Sequence, residues 1–240
     1  MSEKKDFTVL ELQARWSKIR VANIYDTLDK MGYGDQVLDL SIKPLLPNQR
    51  MAGKAITVRG GRDPRTHDDD KAAKETGMDK STASFVDVNE LVYPGSVVVV
   101  ETGGEPVSGK FGEMTSWNLK QRGAKGIVID SLIRDYLGLV VIPDYVACVK
   151  GTTPIESYKR WRILDTNVPI AMPGTLTSQV RVNPGDWIIA EADGVIVVPE
   201  EISMEALIKA EEVEEAEEGM RVDMAAGMTF DEAYKKWGRA

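Results

Sequence analysis

The stretch SVVVVETGGEPVSGKFGEMTSWNLKQRGAKGIVIDSLIRD, residues 96–135, decides the fold. Its opening, Ser96–Glu101, is an unbroken β-branched run of the kind a strand buried on both faces needs. Residues 102–112 hold Gly103, Gly104, Gly109 and Gly112 and read as a glycine-rich loop. Residues 113–122 are helical in composition and Gly123 stops them. Residues 126–130 form a second apolar strand. Strand, helix and strand in this order make a βαβ unit, whose crossover is right-handed.

Outward from this unit, further strands are predicted at residues 54–59, 140–142, 145–150, 169–171, 179–182, 187–191 and 194–198. Pro184-Gly185 and Asp193-Gly194 mark turns between them, the second a hairpin signal. Pro44 and Pro47 exclude helix from residues 42–47. Toward the N-terminus, Thr8 and Glu11 form a capping box. The run 9–31 then reads as one helix with an apolar face of Leu12, Trp16, Ile19, Ile24, Leu28 and Met31. Residues 203 to about 220 are predicted to close the chain as an amphipathic helix. Residues 60–80 are polar and read as a loop or marginal helix. No repeat or linker divides the 240 residues, so one α/β domain with helical ends is expected over 1–240.

Composition removes several function classes. Thirty Lys and Arg stand against 38 Asp and Glu, a net charge of −8. A nucleic-acid binder needs a basic stripe, and the cluster Arg59, Arg62 and Arg65 is broken by Gly60, Gly61 and Asp63. The apolar runs are strand-sized, far short of the ~20 residues of a membrane helix. The N-terminus, MSEKKDFTVL, lacks the apolar core of a signal peptide. The lone Cys148 has no disulfide partner, which suits a reducing compartment. A cytoplasmic protein binding neither membrane nor nucleic acid is expected, with Cys148 a buried strand thiol.

The chemistry is expected where the βαβ unit ends. The carboxyl ends of its strands face the helix N-terminus, whose unpaired amides carry partial positive charge. That edge holds Gly112, Glu113, Met114 and Thr115, with Arg134 and Asp135 in the turn after the second strand. An Arg beside an Asp at such a place suits a small anionic substrate and a cation. Arg134 can fork a carboxylate, and Asp135 can hold Mg²⁺ or Mn²⁺, which keeps waters and takes other ligands from substrate. The bland reading, a first-turn acid beside an unrelated Arg-Asp pair, stands against it. No P-loop or GxGxxG fingerprint supports nucleotide binding, and no nucleoside loop supports a methyltransferase. His67-Asp68-Asp69-Asp70 has no second His or Cys to close a metal site and reads as a solvated acidic loop. The run EEVEEAEE, with only Lys209 and Arg221 nearby, reads as a solvated helix face.

The segments VYPGSVVVVETGGE, FGEMTSWNLKQRGAKGIVIDSLIRD and VNPGDWIIAEADGVIVVP resemble the RraA-like family. That family includes 4-hydroxy-4-methyl-2-oxoglutarate and 4-carboxy-4-hydroxy-2-oxoadipate aldolases. The resemblance runs from IYDTLDKMG through IKPLLPNQRMAGKAITV to the acidic C-terminal helix. Its most specific parts are Gly112-Glu113, Gly123-x-x-Gly126, Arg134-Asp135 and Pro184-Gly185-Asp186.

The resemblance implies a compact α/β sandwich of swivelling-domain-like topology around the central βαβ unit. It implies a homotrimer or a dimer of trimers with the active site between subunits, and residues 201–240 packing as a helical extension on a neighbour. It implies substrate on the amides of Gly112, Glu113, Met114 and Thr115, and Arg134 on the pyruvyl group. Asp135 would be the protein ligand of Mg²⁺ or Mn²⁺, with Glu113 orienting metal-bound waters. A C-terminal Glu of the adjacent subunit would assist, with no means of choosing among Glu211, Glu212 and their neighbours. The implied activity is that of a class II pyruvate aldolase. It would cleave a 4-hydroxy-2-oxo acid to pyruvate and a second carbonyl compound through a metal-stabilised enolate, and would decarboxylate oxaloacetate. The alternative is a non-catalytic binding protein that inhibits ribonuclease E. Two departures from the family pattern, Asp130-Ser131 in place of Asp-Gly and a charged segment over 60–84, leave the identity of the 2-oxo acid open.

Overall fold

A computed structural model describes residues 7–63 and 85–238. Its centre is the expected βαβ unit. Strand β1 (Lys43–Pro44) and strand β2 (Met51–Arg62) come first, then helix α3 (Phe85–Leu91) and strand β3 (Ser96–Glu101). Helix α4 (Glu113–Gln121) crosses from β3 to the parallel strand β4 (Gly126–Ile129). The short elements β5 (Leu132–Ile133) and α5 (Tyr136–Leu139) follow, then β6 (Val146–Val149), β7 (Gly151–Thr152) and β8 (Trp161–Thr166). A hairpin of β9 (Ile170–Pro173) and β10 (Gln179–Val182) precedes a second hairpin, β11 (Trp187–Glu191) and β12 (Gly194–Val198).

The main sheet runs β1-β6-β4-β3-β2-β11-β12, with β8 pairing the far half of β2. Its middle, β2, β3, β4 and β6, is parallel, and its flanks are antiparallel. Burial on both faces explains the β-branched run in β3. Val98 and Val100 pack with Phe111, Leu119 and Ile127 beneath α4. Val97 and Val99 point the other way, onto Val128, Cys148, Ile188 and Val197, inside the curl of the sheet. Each such Val or Ile contributes roughly 1.5–3 kcal/mol by burial. The second hairpin alternates likewise: Ile188 and Ala190 face that interior, while Trp187 and Ile189 face a layer of helices.

That layer consists of α1 (Val9–Trp16), α2 (Val21–Lys30) and the long α6 (Ser203–Ala225), with α7 (Phe230–Trp237) folded back on α6. Trp16, Ile24 and Leu28 meet Trp187, Ala206, Leu207 and Ala210 there. Cys148 is fully buried in β6, and burial pushes its thiol pKa up, as a structural thiol requires. The mixed α/β architecture with helical ends is therefore present.

Four local readings change. The run 9–31 is two helices, because Arg20 is extended between them and both Trp16 and Ile24 must reach one core. Residues 140–142 close the turn after α5 and are not a strand. Strand β2 continues to Arg62, where β8 supplies partners that residues 60–62 do not announce locally. The C-terminal helix extends to Ala225, and α7 follows with its own capping box, Thr229 and Glu232. The acidic run 67–70 and Arg65 lie outside the described residues. Among the described residues no helix is long and apolar enough to cross a membrane.

Candidate active site

Gly112 starts α4 and Arg134-Asp135 follows β5, so the crossover brings them side by side. The backbone fixes the approach: Arg134 N–H donates to Phe111 O at 3.1 Å and Lys110 N–H to Leu132 O at 3.2 Å. A side chain at Gly112 would run into Asp135 Oδ2 and lie 3.0 Å from Arg134 Cγ, so only glycine allows this contact. Asp135 sits at φ 67° and ψ 46°, the left-handed region, where Asp and Asn are the least strained residues with a side chain. This aims its carboxylate at the start of α4. Its Oδ2 accepts from Glu113 N–H at 3.2 Å, and its Oδ1 from Arg134 Nε at 3.3 Å.

Asp135 and Glu113 line a cleft of about 490 Å³ with Tyr136, Leu137, Gly138, Thr152, Thr153 and Pro154. The Glu113 carboxylate lies over Gly138, whose missing Cβ leaves it room. Arg134 is one-third exposed, with Glu156 Oε1 3.9 Å from its guanidinium on the side away from Asp135. The site thus mixes one cation, three carboxylates and a helix N-terminus.

The structure refines the predicted set. Gly112, Glu113, Arg134 and Asp135 come together. Met114 turns its side chain outward, 69% exposed. Two of the four helix-start amides are already engaged: Gly112 N–H donates to Thr115 Oγ1 at 3.0 Å, and Glu113 N–H to Asp135. The amides of Met114 and Thr115 take no partner among the described residues and remain for an anion. Sequence reading missed Gly138 and the Thr152–Thr153 wall. Gly138 had a signal in its place one turn after Arg134-Asp135, whereas β7 reaches the cleft only by pairing with β5.

Asp130, which precedes this turn, faces elsewhere. Its Oδ1 accepts from Thr102 N–H at 2.9 Å, and burial raises its pKa against the pull of Lys150 and Lys110. It lines a separate cleft of about 380 Å³ with Glu101, Gly103, Lys150 and Gln179.

For a metal, the donors at the site are carboxylate oxygens, which suit a hard cation such as Mg²⁺ or Mn²⁺. The Asp135 carboxylate is 42% exposed toward the cleft, and both its present hydrogen bonds are long. No group of three or more His, Cys, Asp or Glu is assembled among the described residues. An ion held by Asp135 would therefore need oxygens from water and substrate.

Residues 21–197 match the RraA-like family model, described as Aldolase/RraA. A protein of Halalkalibacterium halodurans named "Putative 4-hydroxy-4-methyl-2-oxoglutarate aldolase" is 30% identical over 211 residues, 88% of this chain and 87% of that protein. One of the same name from Ectopseudomonas mendocina is 30% identical over 167 residues, 68% of this chain and 88% of that protein. Among solved structures, Streptomyces coelicolor RraAS2, titled an unusual member of the RNase ES inhibitor RraA protein family, superposes with a TM-score of 0.73. It is 26% identical, covering 89% of this chain and 98% of that one. With the Gly112–Glu113 and Arg134–Asp135 contact in place, this chain belongs to the RraA-like family.

Proposed function

We propose that this protein is a divalent-metal-dependent aldolase that splits a 4-hydroxy-2-oxo acid into pyruvate and a second carbonyl compound. The observation that carries the reading is that Asp135 and Glu113 line one cleft, with Arg134 held against the Asp135 carboxylate, in a chain whose relatives carry aldolase names. Arg134 holds the substrate carboxylate in a fork, and the amides of Met114 and Thr115 add fixed positive potential beside it. Asp135 holds Mg²⁺ or Mn²⁺. When bound, that ion supplies Lewis-acid stabilisation of the charge that develops on the 2-keto oxygen. Cleavage removes the proton of the C4 hydroxyl, breaks C3–C4 and sends the released pair toward the 2-keto oxygen, and protonation of C3 completes pyruvate. Glu113, at the lip of the cleft, takes part in moving that proton. The same electron sink would serve oxaloacetate, where CO₂ leaves from C4, so decarboxylation is proposed as a side activity.

The exposed apolar side chains bordering the cleft, Leu137 at 81% and Met114 at 69%, support burial of this edge against another subunit. A trimer or a dimer of trimers is proposed accordingly, its mass measurable by light scattering. The likeness to RraAS2 supports a second reading, a ribonuclease-inhibiting binding protein.

A lactate-dehydrogenase-coupled assay separates the two. Pyruvate should appear from 4-hydroxy-4-methyl-2-oxoglutarate or oxaloacetate with Mg²⁺ or Mn²⁺, stop after chelation, and return when metal is restored. No pyruvate from either compound would favour the binding reading or an aldolase of unrelated specificity.

A further inference from the structure

The least exposed charged side chain among the described residues, Lys110, lies outside the lining of the Glu113–Asp135 cleft, in a cluster whose Glu105 and Ser131 border the separate cleft of about 380 Å³. Lys110 is 0% exposed and Glu105 is 6% exposed. The Lys110 ammonium donates to Glu105 Oε2 at 2.5 Å, Glu105 O at 2.6 Å, Ser108 O at 2.8 Å and Ser131 Oγ at 2.9 Å. Glu105 is held as fully, accepting also from Val107 N–H, Ser108 N–H and Ser108 Oγ at 3.1, 3.1 and 2.6 Å. Ser131 Oγ closes the knot by donating to Glu105 O at 2.9 Å.

The acceptors come from two segments, the loop that leads into Gly112 and the turn that leads into Arg134. A buried ion pair adds little net stability over apolar side chains of the same volume. What crosses between the segments is the Ser131 hydroxyl: three of the four acceptors around the ammonium lie in the loop itself, and Ser131 Oγ, accepting from Lys110 and donating to Glu105 O, ties that loop to the turn. Two residues beyond Lys110 stands Gly112, and three beyond Ser131 stands Arg134, the residues whose close approach joins the helix start to the Arg134–Asp135 turn.

We propose that Lys110, acting with Glu105 and Ser131, is a positioning residue that locks the start of α4 against the Arg134–Asp135 turn. It touches neither substrate nor metal. Its kinetic arm rests on the aldolase reading, whereas its structural arm does not.

The test uses two variants. Ser131→Ala removes only the hydroxyl that ties the two segments. The double change Lys110→Met with Glu105→Gln removes both charges without leaving one orphaned. Both should fold with a thermal midpoint close to wild type. Amides of residues 103–113 should exchange faster with deuterium in both, while those of β3 and β4 stay protected. In the pyruvate assay KM should rise about tenfold, and kcat/KM should fall about 10–100-fold, the scale of an ångström-sized misplacement. A smaller folded fraction would lower kcat and leave KM alone. Wild-type KM together with wild-type exchange at 103–113 in both variants would overturn the proposal. If the wild-type protein releases no pyruvate, the aldolase reading fails, and the exchange result alone decides the positioning claim.

Discussion

At the residue scale, Asp135 combines a charge with a strained backbone, and two substitutions separate them. Asn is at ease in the left-handed region, so Asp135→Asn should keep the fold and abolish metal-dependent pyruvate release. Asp135→Ala should lose activity and also some stability, because in the left-handed region a residue other than Gly, Asn or Asp costs about 1–2 kcal/mol. Urea midpoints beside the coupled assay would show the difference. Arg134→Ala removes the carboxylate fork and fixed positive charge, and a loss of about 10²–10³ in kcat is expected, the scale for one such donor. Gly138 offers a subtler check. A methyl group there would strike the Glu113 carboxylate and its Cδ, while the backbone of α5 has no need to move. Gly138→Ala should thus lower kcat at least tenfold with its far-ultraviolet dichroism unchanged. Wild-type turnover in that variant would remove Glu113 from the proton's path.

At the element scale, the acidic helix α6 is sorted by face. Glu211 binds Arg15 at 2.6 Å. Glu214 accepts from Arg20 N–H at 3.0 Å, Asn23 Nδ2 at 2.9 Å and Arg221 at 2.8 Å, and Glu217 reaches Asn23 at 3.0 Å. Glu212 and Glu215, on the opposite side, are exposed. The solvated face expected from the sequence is therefore only half of the helix. The other half docks on α1 and α2 of its own chain. Burial works to raise the Glu214 pKa, but the donors from Arg20, Asn23 and Arg221 outweigh it and hold the carboxyl below its usual range. Glu214→Ala leaves those donors without their acceptor and should cost about 1–3 kcal/mol in urea unfolding, whereas Glu212→Ala and Glu215→Ala should stay within about 0.5 kcal/mol. Equal effects at all three positions would contradict the docking.

At the scale of the whole molecule, acid sensitivity follows from the same carboxylates. Burial works to raise the Glu105 pKa, but Lys110, Ser108 and the Val107 amide pull it from 4.5 to about 2. A carboxyl depressed in the folded state stabilises above its unfolded pKa, and that contribution fades as pH falls through the folded one. The urea midpoint should drop between about pH 4.5 and 2, followed by fluorescence of the Trp16–Trp187 pair, whose centroids lie 6.3 Å apart in the helix layer. In Glu105→Gln the slope over this window should flatten. Asp186 works in the opposite sense, since burial raises its pKa despite hydrogen bonds from the Asn183 and Glu200 amides. An unchanged slope in the variant would mean that Glu105 is not the group being read.

The βαβ unit, its two-faced strands and the pairing of Gly112–Glu113 with Arg134–Asp135 were legible from the amino acids alone. The reason is physical: β-branched runs, glycine stops and a parallel crossover leave few arrangements, and each places both motifs at one edge. The break between α1 and α2 was not legible, because the groups that receive the amides of Arg20 and Val21 are Glu214 and Glu191, nearly the whole chain away. Nor were the wall of Thr152 and Thr153, the sorting of the α6 glutamates, or the knot of Lys110, Glu105 and Ser131. Each is a set of polar atoms whose partners are chosen by packing between distant segments, and local periodicity carries no record of that choice.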